Sequence, residues 1–465
     1  MTRKLLAYSM LGITLFVLIA RHASQQLFAD LSFLCLAIII IVSLGSLGIR
    51  EKFLLGISLA LAITIALVHP DPAATYRIAL TQSAFMVAFI ILLGFLYEAA
   101  QSSPSVAECG QFTTRQPPGR RFISLYLGTG IMSVLFNLGV ISLLTPLVQR
   151  GVIAANPGDA LNPVREQRQL SAVIRGFAWG IIWSPTALAP LTLLDLMPGI
   201  DRLQWIISGF IIASVAMFIG WAEDYLRFKN LRAARTGPRP PPPVLPKKAM
   251  LLFAAAFFWL LFLATSISRL ANDTVVYGLM VACPIMLVGW LIAQHGGITP
   301  TALGKTVRRI SNIIFDKMPG AAPIAITLAC AGFIGRAASA LVPAEQLVNA
   351  IGINTLPQYL FLSLIPIAIT ASAFLALSPI VAAVFLGSMF GSLPDLPIEP
   401  TLLALSISCG WAVAMTASPM VTVILVMARA SGHDGMTLSV KWNLLFALVT
   451  IVMLFPVFWF LTGGN

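Results

Sequence analysis

Runs of about 20 apolar residues, the length of a helix that crosses a bilayer, recur along almost the whole of the 465-residue chain. They fall near 4–20, 27–48, 53–69, 76–100, 169–197, 203–225, 250–267, 274–294, 320–342, 401–428 and 440–462, eleven in all. A soluble fold of this size needs a charged surface, yet only 10% of the residues are charged and 58% are hydrophobic. In hydrocarbon a helix satisfies its own backbone and needs no such surface. The expected fold is an all-α polytopic membrane protein.

Two further apolar stretches, 122–149 and 357–391, do not fit the count. The first is longer than one crossing needs and too short for two. Both have small or polar centres, around Asn137 in LFNLGV and Thr370 to Ser372 in TASAF. They read as re-entrant hairpins, whose irregular backbone is tolerated at depth only when buried in protein or lining a cavity.

The basic residues test that reading. With the N-terminus inside and each hairpin returning to its own side, cytoplasmic segments hold 23 of the 29 lysines and arginines. External segments then hold four (Arg21, Arg77, Arg202, Arg269), and Arg175 and Arg336 lie within spans. This is the positive-inside pattern. It accounts for the net charge of +12 through membrane orientation rather than nucleic-acid binding, and it puts the C-terminus outside. The five cysteines are scattered, with no CxxC spacing for a disulfide or metal. The first 20 residues have a basic start, and a retained helix is expected there rather than a cleaved signal. The basic, proline-rich stretch RTGPRPPPPVLPKK (235–248) reads as a cytoplasmic linker. The segment 299–317 places Leu303, Val307, Ile310 and Ile314 on one helical face, as an amphipathic surface helix would.

The linker separates two halves of similar order. An extra helix (1–25) precedes a first repeat (26–226), the linker (227–249) and a second repeat (250–465). Five spans per half is an odd number, so the second half is inverted. Inverted repeats with discontinuous helices are an architecture of secondary transporters, with the site at the midplane. The halves also share a local pattern: GFAWGIIWSP (Gly176 to Pro185) and GWAVAMTASP (Gly410 to Pro419) begin on glycine and end on Ser-Pro. NLGVISLLTPLV (137–148) aligns with TASAFLALSPIV (370–381) in the same way.

Proline inside a span removes a helical hydrogen bond, and nearby hydroxyls can take up the carbonyls it frees. Ser184, Pro185 and Thr186 in one half, and Thr416, Ser418, Pro419 and Thr422 in the other, are therefore candidate substrate- or ion-binding residues. Asn137 and Gly139, with Thr370 and Ser372, would present polar groups at the hairpin tips. Charge within a bilayer is costly and marks function. Arg336, well inside its span, is a candidate counter-charge for an anion. Asp195 is a candidate proton site, and Arg175, near a span start, a charge site able to snorkel. Trp205, Trp221 and Trp442 near span ends read as interface anchors. No hydrolytic, metal or nucleotide-binding pattern appears, so neither an enzyme nor a cofactor is expected.

In its hairpins and broken spans the chain resembles the ion transporter superfamily, which includes divalent anion/sodium symporters, arsenite permeases and citrate carriers. The resemblance lies in spacing: Asn137 stands nine residues before Pro146, and Thr370 nine before Pro379. The family's Ser-Asn-Thr triplets are replaced by Phe136-Asn137-Leu138 and Ile369-Thr370-Ala371. The resemblance implies a homodimeric carrier of the inner membrane that moves a small anionic solute by an elevator motion, coupled to protons or sodium. The rival expectations are a permease subunit working with an accessory or binding protein, and a membrane enzyme of polysaccharide or lipid-linked sugar metabolism.

Overall fold

The computed structural model of the chain describes residues 2–23, 26–117, 119–155, 157–230, 243–342, 356–393 and 398–464. Among them there are helices and no strand. Most of the proline-rich linker, residues 231–242, lies outside the described residues.

In chain order the helices are α1 (Thr2–Ala20), α2 (Leu27–Ser43), α3 (Ile49–Val68), α4 (Pro72–Gln101), α5 (Pro104–Thr114), α6 (Arg121–Phe136), α7 (Gly139–Ala155), α8 (Asn162–Gly180), α9 (Leu188–Leu196) and α10 (Arg202–Arg227). They continue as α11 (Lys247–Ala271), α12 (Val275–Gln294), α13 (Pro300–Asn312), α14 (Ala322–Leu341), α15 (Gln358–Phe374), α16 (Pro379–Gly391), α17 (Pro400–Ala417), α18 (Thr422–Ser431) and α19 (Trp442–Leu461). Eleven helical stretches among the described residues are long and apolar enough to cross a membrane. They match the eleven spans expected from the sequence. The two surplus stretches are instead pairs of shorter helices, α6 with α7 and α15 with α16.

The chain divides into two compact units. The first comprises Met1–Ser103, Ala255–Gln346 and Val384–Ser392. In it α14 packs along α4 and α3, α12 packs on α4, and α1 on α2 and α4. Small residues set the approach: a Cβ on Gly332 would stand 3.1 Å from the carbonyl of Gln82, and Ser83 donates to the Ala329 carbonyl at 2.9 Å. Such contacts are the usual glue between helices in lipid, where no hydrophobic force separates chain from solvent. Ion pairs tie the helix ends. Arg21 meets Asp273 at 2.8 Å, and Arg309 meets Glu98 at 3.1 Å. The outer surface stays apolar, with Leu59, Ile63 and Leu67 of α3 exposed by 64%, 54% and 79%. Exposed apolar side chains in such a row belong in hydrocarbon rather than water.

The second unit comprises Pro104–Ala254, Leu347–Ala383 and Leu393–Asn465. Here α8 and α17 form the centre. Gln169 to Gly180 of α8 and Thr401 to Ala417 of α17 are buried without interruption. A helix buried on all sides reads as apolar all round, as α17 nearly does, whereas the buried stretch of α8 also holds Gln169, Ser171 and Arg175. The helix α6 lies along α8, α15 lies along α17, and α17 in turn packs against α8 and α9.

Candidate functional site

Both Ser-Pro sequences interrupt their helices within the second unit. The first interruption runs from a short 3-10 turn (Ile181–Trp183) through Ser184 to Ala187, where α9 begins. The second lies between α17 and α18, with Ser418 and Val421 in extended backbone. The local chemistry is the same in each. The proline cannot donate a backbone hydrogen bond, and the preceding serine turns the chain by accepting one from two residues on. Ser184 Oγ accepts from the Thr186 amide at 3.4 Å, and Ser418 Oγ from the Met420 amide at 3.2 Å.

Each interruption is also tied to a neighbouring short helix. The Thr186 hydroxyl donates to the Val134 carbonyl in the last turn of α6. The Ser418 hydroxyl donates to the Ala373 carbonyl in the last turn of α15, at 2.7 Å. The hydroxyls thus serve carbonyls of the short helices, rather than those the prolines free in their own chain. The opening glycines of the two sequences allow this closeness. A Cβ on Gly176 would collide with the Tyr126 backbone of α6, and one on Gly410 would stand 2.9 Å from the Pro366 Cα of α15.

Beyond each break a half-helix starts without a side-chain cap. Ala187 caps α9 and Val421 caps α18, and neither makes a capping hydrogen bond through its side chain. The first amides of a helix have no intrahelical partner, and together with the helix dipole they favour an anion.

The tip of the α6–α7 pair is Asn137, at φ 47° and ψ −133°. Positive φ is unusual outside glycine, and asparagine tolerates it better than most. Its backbone amide donates to the Ser133 carbonyl at 2.8 Å and its carbonyl accepts from Val140 at 3.2 Å. Gly139 starts α7. The second pair departs from the sequence expectation. Its turn comes at Leu375 to Ser378, with Ala376 at φ 64°. Thr370 and Ser372 accordingly lie within α15 and not at a tip. Their hydroxyls bond back to the Pro366 and Ile369 carbonyls at 2.7 and 2.8 Å. Thr416 does the same to Val413 at 2.8 Å. Thr422 opens α18.

The charged candidates separate. Arg336 is on α14 in the first unit, where its carbonyl accepts from Ser339 at 2.9 Å. Asp195 stands half-buried near the end of α9. Arg175 is only 2% exposed and does not snorkel. It meets Glu223 of α10 at 2.5 Å, donates to Asn443 Oδ1 at 2.7 Å and stacks on Phe446 at 4.3 Å. One helical turn and more before it, Arg168 grips Asp224 through two bonds of 2.8 Å. These contacts clamp α8 to α10 and α19. Trp205, at 2% exposed, is likewise inside the protein and no interface anchor.

The same end of this unit holds a second polar cluster that the sequence did not single out. Gln149 of α7 donates to Glu166 and to the Ser431 carbonyl, both at 2.8 Å, and His433 meets Glu166 at 3.0 Å. Nearby, the Thr437 hydroxyl and amide hold the Asp434 carboxyl below the usual carboxylate range. Ser431 lies 282 residues from Gln149 and His433 lies 267 from Glu166, and only the packing brings them together.

If the Ser418 bond holds the break to its short helix, Ser418→Ala should lower stability by about 1–3 kcal/mol, because it leaves the Ala373 carbonyl without its donor. Thermal melts in detergent measure this; an unchanged melting temperature would mean that the contact contributes nothing.

No protein-family model matches the sequence, and neither does any curated protein. Among solved structures the chain is similar to Neisseria gonorrhoeae MtrF, whose description concerns a class of antimetabolite efflux pumps, at 11% identity and a TM-score of 0.50, covering 89% of this chain and 94% of that one. It is also similar to the Alcanivorax borkumensis YdaH transporter, at 15% identity and a TM-score of 0.48, covering 89% of this chain and 97% of that one. At these identities the likeness is one of fold. The chain is a multi-pass helical membrane protein.

Proposed function

We propose that this chain is a secondary active transporter for a small anionic solute, of the ion transporter superfamily kind. Its site would be built from the two Ser-Pro breaks and the Asn137 tip. The observation that carries the reading is the matched pair of interruptions in one unit, each leaving an uncapped half-helix N-terminus. Broken helices of this form are where transporters bind anions and coupling ions. The fold shared with MtrF supports a transport role, and it makes export worth testing beside import.

The remaining parts of the reading are a homodimer in the inner membrane, protons or sodium as coupling ion, and alternating access. The alternation of the spans, though not which side is cytoplasmic, draws support from the ion pairs. Arg21 with Asp273, Arg77 with Asp30, and Arg309 with Glu98 each join segments that the loop charges put on the same side.

The experiment is flux in reconstituted vesicles, with a proton or a sodium gradient imposed singly against a panel of small organic and inorganic anions. Gradient-driven movement of at least one anion is expected, and Asn137→Ala should weaken its apparent affinity while leaving the melting temperature within a few degrees. Absence of flux under every gradient would overturn the reading. A ligand-stabilisation screen narrows the panel first, because a bound substrate raises apparent stability.

A further inference from the structure

The helix α13 divides its surface three ways. At about 100° per residue, Ala302, Thr306, Arg309 and Ile313 share one side. Ala302, Thr306 and Ile313 are 2%, 2% and 1% exposed. This side is fastened to the first unit, since Thr306 Oγ1 lies 2.9 Å from His295 Nδ1 and Arg309 meets Glu98 at 3.1 Å. A third of a turn round lie Leu303 and Val307, 39% and 66% exposed, in line with Ile310 and Ile314. Beyond them Lys305 and Arg308 are exposed, with no acid at ion-pair distance among the described residues. At that pitch Lys305 and Arg308 lie roughly 160° from the apolar row, so the buried side has an apolar flank on one hand and a cationic flank on the other, the division of an interfacial helix.

We infer that α13 is a docking surface for anionic phospholipid. The apolar row enters the boundary between headgroups and acyl chains, and Lys305 and Arg308 on the polar flank attract anionic headgroups. That is how interfacial helices hold a charged leaflet. The same face has more positive charge nearby. Arg3 and Lys4 of α1 and Lys317 are exposed, and Arg3 donates to the Asp316 carbonyl at 2.6 Å. Asp316 is the sole acid between 299 and 317. This helix opens the apolar stretch Pro300–Leu341, which is long enough to span a membrane, so lipid is the neighbour that meets its apolar row and its cations together. The inference depends on the membrane placement of the spans and not on transport, so failed flux leaves it standing.

The test is lipid retention by the full chain, measured by native mass spectrometry and by thermal stabilisation on adding phosphatidylglycerol or phosphatidylcholine. The intact protein should prefer phosphatidylglycerol. One basic residue near an anionic surface is worth about fivefold in binding, so K305Q with R308Q should weaken that preference by about 25-fold. R202Q with R269Q removes the same charge from other helix ends and should leave it within about twofold. Equal retention of the two lipids by the intact protein would overturn the proposal, as would an undiminished preference in the first variant. Should that variant fail to fold, L303Q with V307Q decides. Loss of stabilisation by phosphatidylglycerol supports a lipid seat on the apolar row, and its persistence overturns the proposal.

Discussion

Replacing Glu223 with alanine is expected to cost about 3–5 kcal/mol, because it strands a buried cation. Arg175 is 2% exposed and has Glu223 as its acid at 2.5 Å. The amide of Asn443 and the ring of Phe446 remain after the substitution but carry no charge, and the remaining nearby carboxylate, Asp224, is already held by Arg168 through two bonds. Arg227, which also reaches Glu223 at 3.4 Å, loses that acid and keeps the Trp442 and Lys441 carbonyls. Removing both members is a different matter. Apolar side chains of similar volume in place of a buried pair are often neutral or better, so Arg175→Met with Glu223→Leu should recover most of the loss. Thermal melts of the three proteins in detergent read this directly. A Glu223→Ala protein that melts with the native one would show that the pair does not hold α8 to α10. The double variant also separates structure from transport. If Arg175 only clamps helices, the rescued protein carries solute normally; if its charge takes part in transport, the rescued protein folds and is inactive.

The second large effect is expected at Gly176. A side chain there would meet the Tyr126 backbone, with the Cα 2.7 Å away. Backbone cannot rotate aside as a side chain does, and overpacking a tight core costs about 1–3 kcal/mol or more. Gly176→Val should therefore give little folded protein, and Gly176→Ala a clear drop in melting temperature. Gly410→Ala should be milder, since one of its obstacles is the flexible Ile369 Cδ1 at 2.8 Å, although the Pro366 Cα at 2.9 Å is fixed. Gly94 supplies the opposite sign. Nothing lies within 4 Å of its Cβ position, so Gly94→Ala should gain about 0.5–1 kcal/mol from helix propensity. A series in which all three alanines behave alike would contradict the packing of α8 on α6.

What the sequence revealed and what it hid follow from the range of the forces involved. The eleven spans were legible because hydrocarbon imposes one length on every crossing, and that length is visible residue by residue. Ser184-Pro185 and Ser418-Pro419 were legible as breaks because the turn chemistry is local to three residues. Proline alone was not enough. Pro146, Pro284, Pro366 and Pro456 all sit inside continuous helices, and at Pro146 the buried hydroxyl of the preceding Thr145 has no hydrogen-bond partner among the described residues. The turn of the second short pair was misplaced at Thr370 because alignment carried the Asn137 position across, whereas the backbone turns at Ala376. Arg175 looked like a snorkelling residue because its partner Glu223 is 48 positions away on another helix. No periodicity in α8 announces which neighbour will meet it. The glycines of the two matched sequences were visible as a repeat, but their purpose needed the facing backbone of Tyr126 and Pro366.

The hydroxyl ties at Thr186 and Ser418 have a mechanical consequence. Each short helix is latched to its broken neighbour through one carbonyl, Val134 in one case and Ala373 in the other. Swinging the short helix away leaves that carbonyl without a partner, at about 1–3 kcal/mol, which holds the swung state down by roughly 5- to 150-fold. The two catches are of the same construction and share no residue, so either bond can break without the other. An occupant that supplied a replacement donor to either carbonyl would be its own key.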